Sequence, residues 1–125
     1  MRLIIGMSGA SGVIYGIRLL EVLSRVEQVE THLVLSDSAK LNIAIETNRS
    51  AKEIQALADE VYSNRDIAAR LASGSFKTDG MIVAPCAVKT LSAIANSYAD
   101  SLLVRAADVV LKERRRLVLV PRETP

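Results

Sequence analysis

Apolar positions along the chain alternate between two periods. Leu3 to Met7 is a short apolar run closed by glycines, the pattern of a buried strand. From Val13 to Val26 the repeat becomes helical: Ile17, Leu20 and Leu23 recur on one side, and Arg18, Glu21 and Arg25 fall on another at salt-bridge spacing. Val29 to Leu35 then reads as a second strand, with Val29, Thr31, Leu33 and Leu35 on one face. A strand, a helix and a strand in so short a span make a βαβ unit, whose two strands run parallel.

The alternation continues. Ser36 to Thr47 predicts a helix capped by Ser36 or Asp37, and Ser50-Ala51-Lys52-Glu53 opens another with a capping-box pattern. Between Ala58 and Ser75 the pattern is weaker, with a short strand at Val61-Tyr62 and a short helix from Ile67 to Leu71. Met81 to Ala84 predicts a buried strand ended by Pro85, Ala87 to Ala95 and Ser101 to Arg114 predict helices, and Leu117 to Val120 predicts a last strand ended by Pro121. The sum is an α/β fold, an open parallel sheet covered on both faces, in one domain over residues 1–125. Ligands of such sheets bind beyond the carboxyl ends of the strands. Four loops therefore matter: Ser8 to Gly12, Ser36 to Ser38, Pro85 to Thr90, and Pro121 to Pro125. A sheet that stopped at Pro125 would leave its last layer without a covering helix, which predicts a fragment or a chain lacking a C-terminal part.

Composition narrows the function classes. With 16 basic and 14 acidic residues the net charge is +2, too even to imply a polyanionic partner. Aromatic residues make up 3% and Trp is absent, which argues against a nucleic-acid reader that stacks bases. The apolar start is too short for a signal peptide or membrane span, and a lone cysteine, Cys86, permits no internal disulfide; both point to the cytoplasm. One His and one Cys build no ordinary zinc site. Cys86 reads as a small buried thiol rather than a nucleophile, since the only histidine, His32, lies within a predicted strand.

Candidate chemistry gathers in the four loops. In Gly6-Met7-Ser8-Gly9-Ala10-Ser11-Gly12, glycines admit close backbone approach to an anion, Ser8 and Ser11 add hydroxyls, and the following helix adds its positive end; an empty strand-to-helix turn is equally compatible. The spacing is not that of a dinucleotide fingerprint, and Ser36 rather than an acid follows the second strand. Ala87, Val88, Lys89 and Thr90 open a helix whose free amides can hold a phosphate or simply be capped. Arg105, Asp108 and Lys112 share a helix face, as a solvated i,i+3 pair or as an anion clamp. Arg122 and Glu123 follow the last strand where α/β enzymes keep working groups. Glu46 reads as exposed, and Ser73-Gly74-Ser75 as a flexible loop.

Read together, GMSGASG (Gly6 to Gly12), IETN around Glu46, ASGSF (Ala72 to Phe76), MIVAPC (Met81 to Cys86), KTLSAIA (Lys89 to Ala95) and RAADVVLKERRRLVLVPRETP (Arg105 to Pro125) make a chain that resembles the UbiX-type flavin prenyltransferases throughout its length. The resemblance implies a Rossmann-like or flavodoxin-like three-layer sandwich that binds FMN. It implies metal-independent transfer of a dimethylallyl group from dimethylallyl monophosphate to N5 and C6 of the flavin, and delivery of prenylated FMN to a separate decarboxylase. It also implies a trimer-based dodecamer with flavin sites at subunit interfaces. By motif, Gly9, Ala10, Ser11, Ser36, Ala87, Val88, Lys89, Thr90 and Arg122 contact FMN, while Arg105, Lys112 and Arg122 hold the donor phosphate. Glu123 handles protons, Glu46 approaches the flavin from a neighbouring subunit, and Ser73 and Gly74 shape the prenyl pocket. The family's usual Ser is replaced by Ala87, at a cost of about one neutral hydrogen bond, roughly 0.5–1.5 kcal/mol. Family members also continue past Pro125 with a strand and helices bearing a Tyr and a basic residue of the donor site. Two other readings remain at this point: an FMN-dependent decarboxylase of the related superfamily, whose Asn-rich segment is not found here, and a truncated, non-catalytic flavin-binding remnant.

Overall fold

The computed structural model describes residues 1–122. Five strands, β1 (Arg2–Met7), β2 (Glu30–Leu35), β3 (Glu60–Ser63), β4 (Gly80–Cys86) and β5 (Arg116–Pro121), form one sheet in the order β3-β2-β1-β4-β5. Every adjacent pair is parallel. Parallel neighbours need crossovers, and these place helices on both faces. Ile5, Met7, Leu33 and Leu35 face α1 (Val13–Leu23), α2 (Asp37–Glu46) and α3 (Ala51–Gln55), whose Ile17, Leu20, Ile43 and Ile54 complete one core cluster. Ile4, Val34, Met81 and Val83 face the other way, onto α4 (Val88–Ala95) and α5 (Leu102–Lys112) through Ile94, Leu103, Ala106 and Val110. The expected three-layer α/β arrangement is therefore present.

Helix starts follow the local chemistry. Ser36 Oγ accepts from the Ala39 amide at 3.0 Å and begins α2, Ser50 and Glu53 form the reciprocal capping box of α3, and Ser101 Oγ accepts from the Val104 amide to begin α5. Ala87 begins α4 with no side-chain cap.

Some boundaries shift for identifiable reasons. β2 is buried on both faces, His32 and Val34 included, because helices cover both sides of a strand lying between β1 and β3. Helix α1 stops at Leu23 rather than Val26, since the Arg25 and Val26 amides turn back to the Val22 and Leu23 carbonyls. The weak strand at Val61-Tyr62 runs from Glu60 to Ser63. The helix expected from Ile67 to Leu71 is instead a 3₁₀ turn at Arg70–Ala72. Upstream, the Asp66 carboxylate accepts from the Ala68 amide and its carbonyl from the Ala69 amide, a local turn that competes with helix. Pro85 does not end β4: the ladder is irregular between Val83 and Cys86, the Ala84-Pro85 bond is cis, and Cys86 still pairs with Pro121. Glu21 pairs with Arg18 at 2.9 Å as spaced, but its second oxygen reaches Arg49 at 3.2 Å, not Arg25. Among the described residues Arg105 and Asp108 form no ion pair. No helix among the described residues is long and apolar enough to cross a membrane.

From β1 the chain departs over the α1 face, while α4 and α5 leave β4 over the opposite face. The loops after β1 and β4 thus part company at the carboxyl ends of two adjacent strands and leave a crevice. Leu20 anchors α1 to the sheet and is fully buried. Leu20→Ala should lower unfolding free energy by about 2–5 kcal/mol in chemical denaturation; a loss below about 1 kcal/mol would mean that α1 is not seated as described.

Candidate functional site at the strand carboxyl ends

The crevice is held open by one residue. Ser8 donates its amide to the Pro85 carbonyl at 3.1 Å, donates its hydroxyl to the same carbonyl at 3.1 Å, and accepts from the Ala87 amide at 2.8 Å. The loop after β1 is thereby tied to the loop after β4. Ser8 is buried, and these bonds occupy its hydroxyl, so it is not the ligand donor that its place in the glycine loop predicted. Next, Gly9 passes so close to α2 that a β-carbon there would lie 2.3 Å from Ser38 Cβ. Gly12 closes the loop at φ 97°, a conformation that L side chains rarely adopt.

The start of α1 is already occupied by an anion. Glu46 Oε1 accepts from the Gly12 and Val13 amides at 3.0 and 3.3 Å. The carboxylate satisfies orphan donors and faces the positive end of the helix, so the end of α2 is joined to the glycine loop. Glu46 is exposed as the sequence implies, yet it is engaged within its own chain. Ala10 is fastened as well, its carbonyl accepting from Asn42 Nδ2 at 3.2 Å. Ser11 stands exposed at the rim.

The start of α4 is different. No side chain caps it, its first turn holds no acidic residue, and the amides of Val88, Lys89 and Thr90 find no acceptor among the described residues. Lys89 and Thr90 border a cavity of about 280 Å³ that Gly9, Ser36 and Ala87 also line, all of them candidates from the sequence. Ser36 keeps its hydroxyl proton available, because its capping role uses the oxygen as acceptor. Unpaired amides, the positive end of a helix and the Lys89 ammonium make this an anion site. Ser38, from the loop expected to matter, also lines it, as do Asn64, Asp100 and Ser101, which were not anticipated. Asn64 follows β3 directly, and its carbonyl and side-chain oxygens accept from the Leu102 and Leu103 amides, which sets α5 against the cavity. The rule that ligands gather beyond strand ends would have pointed to it, had β3 been read to its full length.

The remaining candidates separate into groups. Arg122 donates its amide to the Cys86 carbonyl at 3.2 Å and holds its guanidinium 5.7 Å from the Tyr15 ring, with Nε beside Gly12, so it joins Ser11 at the rim. Val88 is exposed at the mouth of the α4 turn. Arg105 lies exposed one turn into α5, outside the cavity lining. Lys112 closes α5, and Ser73 and Gly74 lie near that same end, where Arg115 donates to the Gly74 carbonyl at 2.9 Å. Because α5 starts beside Asn64 and delivers the chain to the beginning of β5, Lys112, Ser73 and Gly74 occupy the amino end of the sheet, opposite the cavity. Glu123 lies outside the described residues. A larger hollow of about 680 Å³ also opens at the amino end, among Leu3, Thr78, Gly80, Arg114, Arg116 and Val118, and contains none of the candidate residues.

Cys86 is buried, and burial pushes its thiol up from the ordinary value. Both ring nitrogens of His32 are engaged elsewhere, by Tyr62 and Glu30, so His32 is not a base for the thiol.

Comparison with known proteins extends the picture. The model of the family described as Flavoprotein matches residues 1–124. The flavin prenyltransferase UbiX of Escherichia coli K12 is 61% identical over 124 residues, which are 99% of this chain and 66% of that protein. The crystal structure of a dodecameric FMN-dependent UbiX-like decarboxylase from Escherichia coli O157:H7 superposes with TM-score 0.99 at 57% identity, covering 100% of this chain and 68% of the other. AnUbiX (PadA1), solved in complex with FMN and dimethylallyl pyrophosphate, superposes with TM-score 0.96 at 52% identity, covering 99% of this chain and 65% of the other. The chain thus spans about two thirds of the length of the relatives it matches.

The uncapped start of α4 has a direct consequence. Ala87→Ser supplies a hydroxyl that can accept from the first-turn amides, and thermal or chemical denaturation should show a gain of about 0.5–2 kcal/mol. No gain would mean that these amides already have partners.

Proposed function

Since the chain belongs to the flavoprotein family, in its UbiX-type branch, we propose that it binds FMN across the β1/β4 crevice and takes part in transfer of a dimethylallyl group to that flavin. One observation carries the reading. Gly9, Ser36, Ala87, Lys89 and Thr90 meet around a single cavity whose α4 amides are unpaired. A phosphate monoester fits that donor set: unpaired amides at the start of α4 with the Ser36 hydroxyl and Lys89 in the same lining, no carboxylate in the first turn of α4, and Asp100 as the acidic residue of the wall.

Size sets how the rest of the ligand lies. Residues lining the cavity of about 280 Å³ would hold the phosphate end of the flavin, and Ala10, Ser11 and Arg122 at the rim would contact the remainder. That rim is open on a single chain. Ser73, Gly74 and Lys112 stand at the far end of the sheet, so they reach a flavin only on another copy of the chain. A homo-oligomer with flavin sites between subunits follows, in agreement with the dodecameric assembly named for the E. coli relative. Its donor is dimethylallyl monophosphate, and its product, prenylated FMN, goes to a separate decarboxylase. A single buried thiol with no disulfide partner in the chain suits a reducing compartment, and we place the protein in the cytoplasm.

When bound, FMN supplies N5 and C6, the positions that receive the prenyl carbons. The protein's residues do the remainder. Arg105, Lys112 and Arg122 neutralise the departing phosphate, Glu123 handles protons, and Glu46 approaches the flavin of a neighbouring copy. Packing of the Ser73-Gly74 turn keeps water from the electron-poor prenyl fragment. Within its own chain Glu46 is oriented by the Gly12 and Val13 amides, which donate to its Oε1.

The test is direct. The purified protein is loaded with FMN, reduced anaerobically and treated with dimethylallyl monophosphate, and the extracted flavin is weighed by mass spectrometry. Its mass should rise by one dimethylallyl unit. A protein that takes up FMN but leaves its mass unchanged contradicts the transfer and keeps the binding; failure to take up FMN contradicts both. Arg122→Ala should weaken FMN binding by about ten- to a hundred-fold, as expected for loss of a charge-assisted contact; unchanged affinity would remove Arg122 from the site.

A further inference from the structure

At the amino end of the sheet, away from the cavity, a chain of hydrogen bonds runs through the protein. Arg70 Nε lies 2.8 Å from Tyr62 Oη, which lies 2.8 Å from His32 Nδ1, while His32 Nε2 lies 2.8 Å from Glu30 Oε1. A guanidinium can only donate, so Tyr62 Oη accepts from Arg70. The Tyr62 hydroxyl and His32 Nδ1 share the next hydrogen bond, and His32 Nε2 and Glu30 Oε1 the last, with the ring's donor and acceptor roles set by its tautomer. His32 at the centre is fully buried.

The network ends on the segment that carries Ser73 and Gly74. Arg70 opens the 3₁₀ turn that leads into them. On the far side, Phe76 is held between two guanidiniums, Arg2 at 4.4 Å and Arg70 at 4.7 Å from its ring centre, with His32 edge-on at 5.5 Å. Arg2 closes the circuit through Glu30 at 3.5 Å, and Arg70 leans on Glu60 at 3.7 Å. Arg115 fixes the backbone between, donating to the carbonyls of Gly74 and Phe76. A glycine-containing turn that would otherwise be mobile is therefore gripped at both ends and at its carbonyls.

We propose that His32, Tyr62 and Arg70 are positioning residues for the Ser73-Gly74 turn, a hydrogen-bond relay through the buried His32 that holds this wall of the prenyl pocket in one conformation. The role rests on the reading above that the turn contacts the donor; the relay itself rests on the bond network. None of these residues lines the flavin cavity of its own chain, so any effect passes through the Ser73-Gly74 turn to a neighbouring copy, where the proposal assigns it to the donor.

Tyr62→Phe removes one hydroxyl and keeps the ring stacked on His32, so folding is preserved. Amide hydrogen exchange should be faster by about ten-fold across residues 70–76 and unchanged in β1 and β4. Binding of dimethylallyl monophosphate to the FMN-loaded protein should weaken by about five- to ten-fold, the loss associated with one hydrogen bond, with FMN affinity unaltered. His32→Gln, whose amide offers one acceptor and one donor, should recover part of the donor affinity lost in His32→Ala. Ile54→Val, destabilised on the opposite face, should change neither exchange at 70–76 nor donor binding. Unchanged exchange at 70–76 in Tyr62→Phe overturns the relay, and equal losses of FMN and donor overturn its assignment to the donor side. A wild-type protein that holds FMN but binds no donor overturns the donor reading, while the exchange comparison still decides the relay.

Discussion

Ser8 is the constraint on which the site depends. Two parallel strands whose chains depart over opposite faces of the sheet have no inherent reason to keep their following loops at a set distance. Here a buried hydroxyl and its own amide bond Pro85 and Ala87 across the gap, at 3.1 Å or less in each contact. That fixes the start of α4 relative to Gly9, and therefore fixes the cavity between them. The glycine loop contributes shape, since the close pass of Gly9 over Ser38 leaves no room for a side chain. The charges are arranged on this frame afterwards.

Electrostatics divides the two helix starts. Both offer unpaired amides and a positive end, so either could receive a phosphate. At α1 the protein supplies its own carboxylate, Glu46, from the end of α2. At α4 it supplies nothing, and Lys89 adds a cation. An anionic ligand is thereby directed to one of two otherwise similar positions. The selection comes from a carboxylate more than thirty residues away in the chain, which spacing within the glycine loop cannot reveal.

Much of the fold was legible because local chemistry and global architecture agree. Continuous apolar runs gave the central strands, Ser36, Ser50 and Ser101 marked three helix starts, and the alternation of strand and helix gave the parallel sheet. The gathering of Gly9, Ser36, Lys89 and Thr90 follows from the rule about strand carboxyl ends. What stayed hidden depends on contacts between distant segments. Ser8 reads as a ligand donor until Pro85 is seen beside it. Asn64 reads as nothing until β3 is complete. His32 reads as an ordinary strand residue, and its partners Tyr62 and Arg70 lie in the stretch with the weakest periodicity. The separation of Ser73 and Lys112 from the cavity reflects helix direction, which a motif does not encode.

The central claim is that the amides of α4, with Ser36 and Lys89, grip a flavin by its phosphate. Parallel fluorescence titrations with FMN and riboflavin isolate that contact, because the two ligands differ only in the phosphate group. The account predicts that FMN binds at least about a hundred-fold more tightly, and that added salt narrows the gap. Equal affinities for the two flavins would contradict it.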